Sequence, residues 1–124
     1  MIIRPAIRKD CQAIYTLYQS EKWLSFTEEK VTSLFSTSLS HYLVLEEDQK
    51  ILGFVRYLTD EVLTTFLAEI IIDKSHRRKG LGQQLIEEIH KKYPLTRIEL
   101  ISEADGFYRA ISFKPVGTGF RKSE

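Results

Sequence analysis

Ile70-Ile71-Ile72-Asp73-Lys74-Ser75-His76-Arg77-Arg78-Lys79-Gly80-Leu81-Gly82 is the stretch on which the reading of this chain turns. A β-branched apolar run ends at an aspartate, a basic loop follows, and two glycines open the next segment. From Gly80 to Tyr93, Leu81, Leu85 and Ile89 recur at i, i+4 and i+8, with Ile86 and Tyr93 beside them. Gln83, Gln84, Glu87, Glu88, Lys91 and Lys92 fall largely on the other side, which predicts an amphipathic helix. Pro94 ends it. Arg77, Arg78 and Lys79 stand at its start, the wrong end for cations, because the helix dipole already amounts to about half a positive charge there. An anion resolves the conflict. Free N–H groups of the first turn, two glycines and flanking cations together make a phosphate site. The plainer alternative is a turn glycine in a solvated basic loop, and the strand–loop–helix setting favours the anion.

Other phosphate patterns fit less well. Lys79 precedes its glycine, against the Walker order. Leu85 stands where a dinucleotide fingerprint needs a third glycine, and three consecutive strands precede the motif where that fold alternates strand and helix.

Those strands are read from the residues on either side. Met1 to Ile7 predicts a first strand. Asp10 is placed to cap a helix carrying Cys11, Ile14, Leu17 and Tyr18 on one side. Ser25-Phe26-Thr27-Glu28 fits a capping box before Val31, Leu34 and Phe35. Tyr42 to Glu46 and Ile51 to Leu58 make a hairpin around Glu47-Asp48-Gln49-Lys50, and Thr64 to Ile72 is a third strand. Beyond Pro94, Arg97 to Ile101 reads as a strand, Asp105 to Ile111 as a short helix, and Phe113 to Phe120 as a last strand. The order is β-α-α-β-β-β-α-β-α-β. It predicts an α+β fold with a mixed, largely antiparallel twisted sheet flanked by helices.

Composition sets bounds on this. The chain has 124 residues, 43% of them hydrophobic, and 18 Lys+Arg against 17 Asp+Glu leave a net charge of +1. That balance excludes an acidic disordered chain and a generally basic nucleic-acid coat protein. Residues 1–124 are read as a single domain, large enough to fold without a metal or disulfide. Cys11 is the sole cysteine, and no apolar run matches a membrane span or a signal h-region. The expectation is a cytoplasmic protein.

Two motifs now coincide. Arg77-Arg78-Lys79-Gly80-Leu81-Gly82 resembles the Arg/Gln-x-x-Gly-x-Gly/Ala motif of the GNAT superfamily of acetyl-CoA-dependent N-acetyltransferases. Ala104-Asp105-Gly106-Phe107-Tyr108, with Phe113 downstream, resembles the same family's Ala-x-x-Phe-Tyr-x-x-x-Gly-Phe. Ile3-Arg4-Pro5-Ala6 resembles its first strand. Ser112 replaces the usual glycine before Phe113, the asparagine often found before the tyrosine helix is absent from Ile101-Ser102-Glu103, and the segment between the first strand and the hairpin is short.

The resemblance implies acetyl transfer from acetyl-CoA to a primary amine of a small molecule or peptide, by direct attack in a ternary complex. The backbone of Arg77, Arg78, Lys79, Gly80, Leu81 and Gly82 would cradle the pyrophosphate. Ile70, Ile71 and Ile72 would bond the pantetheine arm like an added strand, with an amide near Ile70 polarising the thioester carbonyl. Tyr108 would protonate the departing thiolate. The chemistry needs these parts: a donor aimed at the oxyanion and an acid for the leaving group, but no protein nucleophile.

Glu69 is the only acid in its strand, and a desolvated carboxylate there suits a general base. Strict alternation sets it with Leu67 and Ile71, opposite Phe66, Ala68 and Ile70, where the family's base residues tend to stand; a bulge would reverse the facing. A water chain without a dedicated base is the alternative. Cys11 reads as a buried inert thiol. His41, His76 and His90 lack metal-ligand spacing, so no metal is expected. His76 is expected to pack, and Trp23, Phe26 and Tyr18 either line the acceptor pocket or join the core. A catalytically inactive acyl-CoA-binding or sensor domain is the competing reading. One short basic run at net charge +1 argues against a nucleic-acid partner. No membrane partner is expected, and the resemblance leans toward a homodimer.

Overall fold

The computed structural model describes residues 1–123. Strands β1 (Ile2–Pro5), β2 (His41–Glu47), β3 (Lys50–Thr59), β4 (Thr64–Ile72) and β5 (Arg97–Leu100) form one sheet in chain order. The first four are antiparallel and β5 runs parallel to β4. Helices α1 (Cys11–Ser20) and α2 (Glu28–Leu34) lie on one face; α3 (Leu81–Lys92) packs on the other, where Tyr108 of α4 (Asp105–Ala110) joins the core. Asp48 and Gln49 close the β2–β3 hairpin with φ of 52° and 65°, the left-handed pair that a tight turn between right-twisted strands requires.

The α+β class and the element order hold as far as α4. The last strand expected over Phe113 to Phe120 does not form: residues 113–123 carry no strand. Pro115 has no N–H to give a ladder, and Gly117 and Gly119 weaken any strand they sit in. Two helix starts also differ from expectation. Thr27, not Ser25, caps α2, its hydroxyl accepting from the Lys30 N–H at 3.2 Å. Asp10 precedes α1 but makes no cap. Its buried carboxylate accepts from Arg4 at 2.8 and 3.1 Å and from the Ile7 N–H at 2.8 Å. Burial pushes the Asp10 carboxyl up, and those donors outweigh it, holding the group below its ordinary value.

Two irregularities of β4 position the site. The β3–β4 register steps from Arg56↔Glu69 to Tyr57↔Leu67, which leaves Ala68 unpaired as a bulge. Leu67 therefore faces α3, while Glu69 and Ile71 face α1, so the alternation that grouped Glu69 with Leu67 is broken. The parallel ladder with β5 ends at Leu67↔Leu100, one residue before the bulge. Beyond it β4 pairs with β3 alone.

Candidate functional site

One edge of Glu69–Ile72 is consequently left without a strand partner. The Asp73 N–H donates to the Leu52 carbonyl at 2.7 Å, and alternation along an antiparallel pair then turns the peptide groups of Ile72 and Ile70 away from β3. Their N–H and C=O groups face the opening. An extended polar chain laid there would be bonded as an added strand is.

The opening leads to the start of α3. Gly80 holds the position before the helix with φ 74° and ψ 16°, a left-handed geometry that glycine adopts without strain. Its carbonyl accepts the first helical bond, from Gln84 at 3.1 Å. The N–H groups of Leu81, Gly82 and Gln83 have no intrahelical acceptor, and no side chain among the described residues caps them. Arg78, itself left-handed at φ 64°, and Lys79 are exposed and form no ion pair among the described residues. Free donors, the dipole and two unpaired cations thus converge on one spot. The second glycine has another use: a Cβ on Gly82 would lie 3.1 Å from Phe107 Cζ and 3.6 Å from Ile70 Cδ1. Gly82 lets the Phe107 ring wedge α4 against α3 and β4. His76 does not simply pack: its Nδ1 lies 3.3 Å from Asp73 and bonds Ser75, bracing the turn into the loop.

Tyr108 is fixed by the way α4 ends. The Ser112 N–H donates to the Arg109 carbonyl at 3.2 Å and the Phe113 N–H to the Tyr108 carbonyl at 2.9 Å, with Ser112 at φ 76°. This is a Schellman ending, with the Tyr108 and Phe113 rings 5.5 Å apart as its apolar contact. It gives a local reason for a glycine at position 112, where this chain has serine. The Tyr108 ring packs with the cluster that includes Ile70 and Ile72, and its hydroxyl has no hydrogen-bond partner among the described residues. Burial pushes its phenol up, so it carries its proton at neutral pH.

Glu69 stands on the opposite face, inside a network that the sequence reading missed. Arg56 grips its carboxylate with two donors, Nε at 2.6 Å and the second guanidinium nitrogen at 2.7 Å. Tyr18 donates to Oε1 at 2.6 Å, and the Tyr42 hydroxyl, 2.9 Å from that of Tyr18, completes the chain as donor. Arg56 also reaches the Ser40 hydroxyl at 3.3 Å. Burial, and then the Glu69 charge, push the Tyr18 phenol far up; burial pushes Tyr42 up to about 12. Phe26 stacks on the Tyr18 ring at 4.1 Å and Trp23 tilts against both, so this trio covers the network. Three donors leave one lone pair of Glu69 Oε2 free. Arg56 gave one usable signal: the lone cation of the apolar run Ile51 to Leu58 must find a buried anion.

Tyr108 and Glu69 do not touch. They flank the β4 opening from its two sides, the phenol ring on the α3 face and the carboxylate on the α1 face. No cluster of three or more His, Cys, Asp or Glu that could hold a metal occurs among the described residues. A cleft of about 210 Å³ lies at the other end of the sheet, between Phe35, His41, Tyr57 and Tyr93. No helix is long and apolar enough to cross a membrane among those residues.

Known proteins share this fold. Residues 38–115 match the model of the acetyltransferase (GNAT) domain. No curated protein matches the chain. Among solved structures, a GNAT-family acetyltransferase from Streptococcus pneumoniae TIGR4 superposes with a TM-score of 0.77 at 21% identity, over 99% of this chain and 98% of that one. A ribosomal-protein-alanine N-acetyltransferase from Brucella melitensis biovar Abortus 2308 gives 0.79 at 14% identity, over 99% and 98%. An aminoglycoside N-acetyltransferase, AAC(6')-Iy, solved in complex with CoA, gives 0.79 at 13% identity, over 99% and 93%.

Proposed function

The chain belongs to the GNAT acetyltransferase family and is an acyltransferase, and from that premise we propose that it moves an acetyl group from acetyl-CoA to a primary amine of a small molecule or peptide. The observation that carries this reading is the unpaired β4 edge at Ile70 and Ile72 running into the uncapped start of α3. The free N–H groups from Leu81 to Gln83, with Arg78 and Lys79, take the pyrophosphate. The backbone of Ile70 to Ile72 takes the pantetheine arm, and the Ile70 N–H meets the oxyanion as the amine attacks. The CoA complex of the aminoglycoside enzyme supports the cofactor assignment.

The two faces of β4 divide the proton work. An alkyl ammonium titrates near ~10, so the amine must lose a proton before it attacks. Glu69 receives it on the α1 face, beneath Trp23 and Phe26. The C–S bond breaks as the tetrahedral intermediate collapses, Tyr108 gives its proton to the sulfur on the α3 face, and the proton that the nitrogen sheds as the amide forms restores the Tyr108 phenol. The unengaged hydroxyl of Tyr108 and the free lone pair of Glu69 Oε2 support these roles.

A thermal shift series with acetyl-CoA, free CoA and NAD tests the cofactor. At 100 times its dissociation constant, acetyl-CoA should add about 2.7 kcal/mol, and NAD nothing. Gly80→Glu should abolish the shift by setting a carboxylate at the pyrophosphate position. Unchanged affinity in that variant would overturn the site. A screen of polyamines, amino acids and short peptides for thiol release then identifies the acceptor.

A further inference from the structure

Among the described residues, Arg77 is the one arginine or lysine of the loop that does not stand free. Its Nε donates to the Ile72 carbonyl at 3.1 Å, and its other end is ion-paired with the Glu21 carboxylate. Ile72 is one of the two β4 residues whose peptide groups face the opening, and Ile70, the other, carries no such cover among the described residues. Glu21 comes from a different part of the chain: it is the residue that closes α1, on the turn leading to Trp23. One side chain therefore ties the phosphate loop, the open strand edge and the α1 turn together.

Resting on the acetyl-CoA reading, we propose that Glu21 is a positioning residue, which latches Arg77 over the upper half of the pantetheine slot. The Ile72 carbonyl is the acceptor a pantetheine amide needs, and it is already taken. A ligand reaches it only by displacing the Arg77 guanidinium, and displacement separates Arg77 from Glu21. The pyrophosphate seated beside the loop supplies the competing anion. The arm and the phosphates thus act in sequence on one arginine. Seating the cofactor also releases the end of α1, the helix that holds Tyr18 on Glu69. The Arg77 and Glu21 side chains are 43% and 23% exposed, so the pair is a weak one and the latch opens readily.

Calorimetry on the full chain tests this with two ligands: CoA, which has the pantetheine arm, and ADP, which has a pyrophosphate and no arm. In Glu21→Gln the CoA dissociation constant should fall about two- to five-fold, the value of one partly exposed ion pair. ADP should tighten less, because it does not need the Ile72 carbonyl. Glu21→Asp, which keeps the charge and shortens the reach, should fall between wild type and Glu21→Gln for CoA. An unchanged or weaker CoA affinity in Glu21→Gln would overturn the latch. So would an equal gain for ADP, which would reduce Glu21 to a charge near the phosphate site. Failure of the wild-type chain to bind CoA would overturn the cofactor reading itself, and the latch with it, before any variant is compared.

Discussion

Tyr18 and Tyr108 occupy the same place in two helix ends. Each is the third residue from the end of its helix, each has its carbonyl bonded by the N–H five residues on, and in each case that residue is aromatic, Trp23 or Phe113. Each ending turns on a left-handed residue that is not glycine, Lys22 at φ 60° and Ser112 at φ 76°. The backbones match and the hydroxyls do not. Tyr18 is fully buried, donates a hydrogen bond to Glu69 and accepts one from Tyr42. Tyr108 is half-buried and its hydroxyl is unengaged. The same local motif thus delivers one tyrosine to the framework and the other to the opening beside β4, and only what lies opposite decides which.

The framework side can be broken hardest through the partner of Tyr18. Glu69→Ala would leave the Arg56 guanidinium buried without its anion, and should cost about 3 kcal/mol or more in urea unfolding. A cost below about 1 kcal/mol would mean that the network is no more than a solvated ion pair. The side of the β4 opening answers to Tyr108→Phe. Here kcat should fall ~10²-fold or more while Tm and the CoA dissociation constant stay close to wild type, since the lost hydroxyl had no partner to leave behind. Turnover within a few-fold of wild type would return Tyr108 to the core and erase the contrast.

Tyr18→Phe should give the reverse pattern, a loss of about 1–3 kcal/mol in stability. It also carries a pH signature. Burial and the Glu69 charge raise the Tyr18 phenol above its ordinary value, so its contribution is complete below pH ~10 and is lost as pH rises toward the folded-state value. Wild type should therefore lose stability more steeply above pH ~10 than Tyr18→Phe does. Parallel curves would show that the hydroxyl is not coupled to folding. The smallest effect is expected where the two endings agree. Ser112→Gly removes left-handed strain and should stabilise by about 1 kcal/mol with kcat unchanged, read from paired melts and rates. A fall in kcat would mean that the strained turn itself holds Tyr108 in register.

The helix endings also show why the site was only partly legible. The loop proposed for the phosphates stood out because its signals are contiguous: Gly80, the cations before it and the helical period after it lie within one short segment. Tyr108, the proposed acid, was singled out through a motif of the same kind. Arg56 and Tyr42 were not, because nothing near them in the chain names their partner, and Tyr18 meets Glu69 across 51 positions. The left-handed turns were hidden as well, since lysine and serine stand where glycine would announce them.

What the sequence determined on its own is what short-range forces fix. The nine-residue run of β4, the twelve-residue face of α3 and the hairpin turn at Asp48 and Gln49 follow from periodicity, breakers and backbone preference. Tertiary structure decided the rest. The Ala68 bulge exists only in the pairing of β3 with β4, and it sends Glu69 to the α1 face while Leu67 goes to the other. The absence of a strand at residues 113–123 and the open edge beyond Leu67 are likewise properties of pairing. A residue's own propensity sets which element it joins. Its chemical use depends on the group that the sheet and helices bring across from it, and no local pattern carries that information.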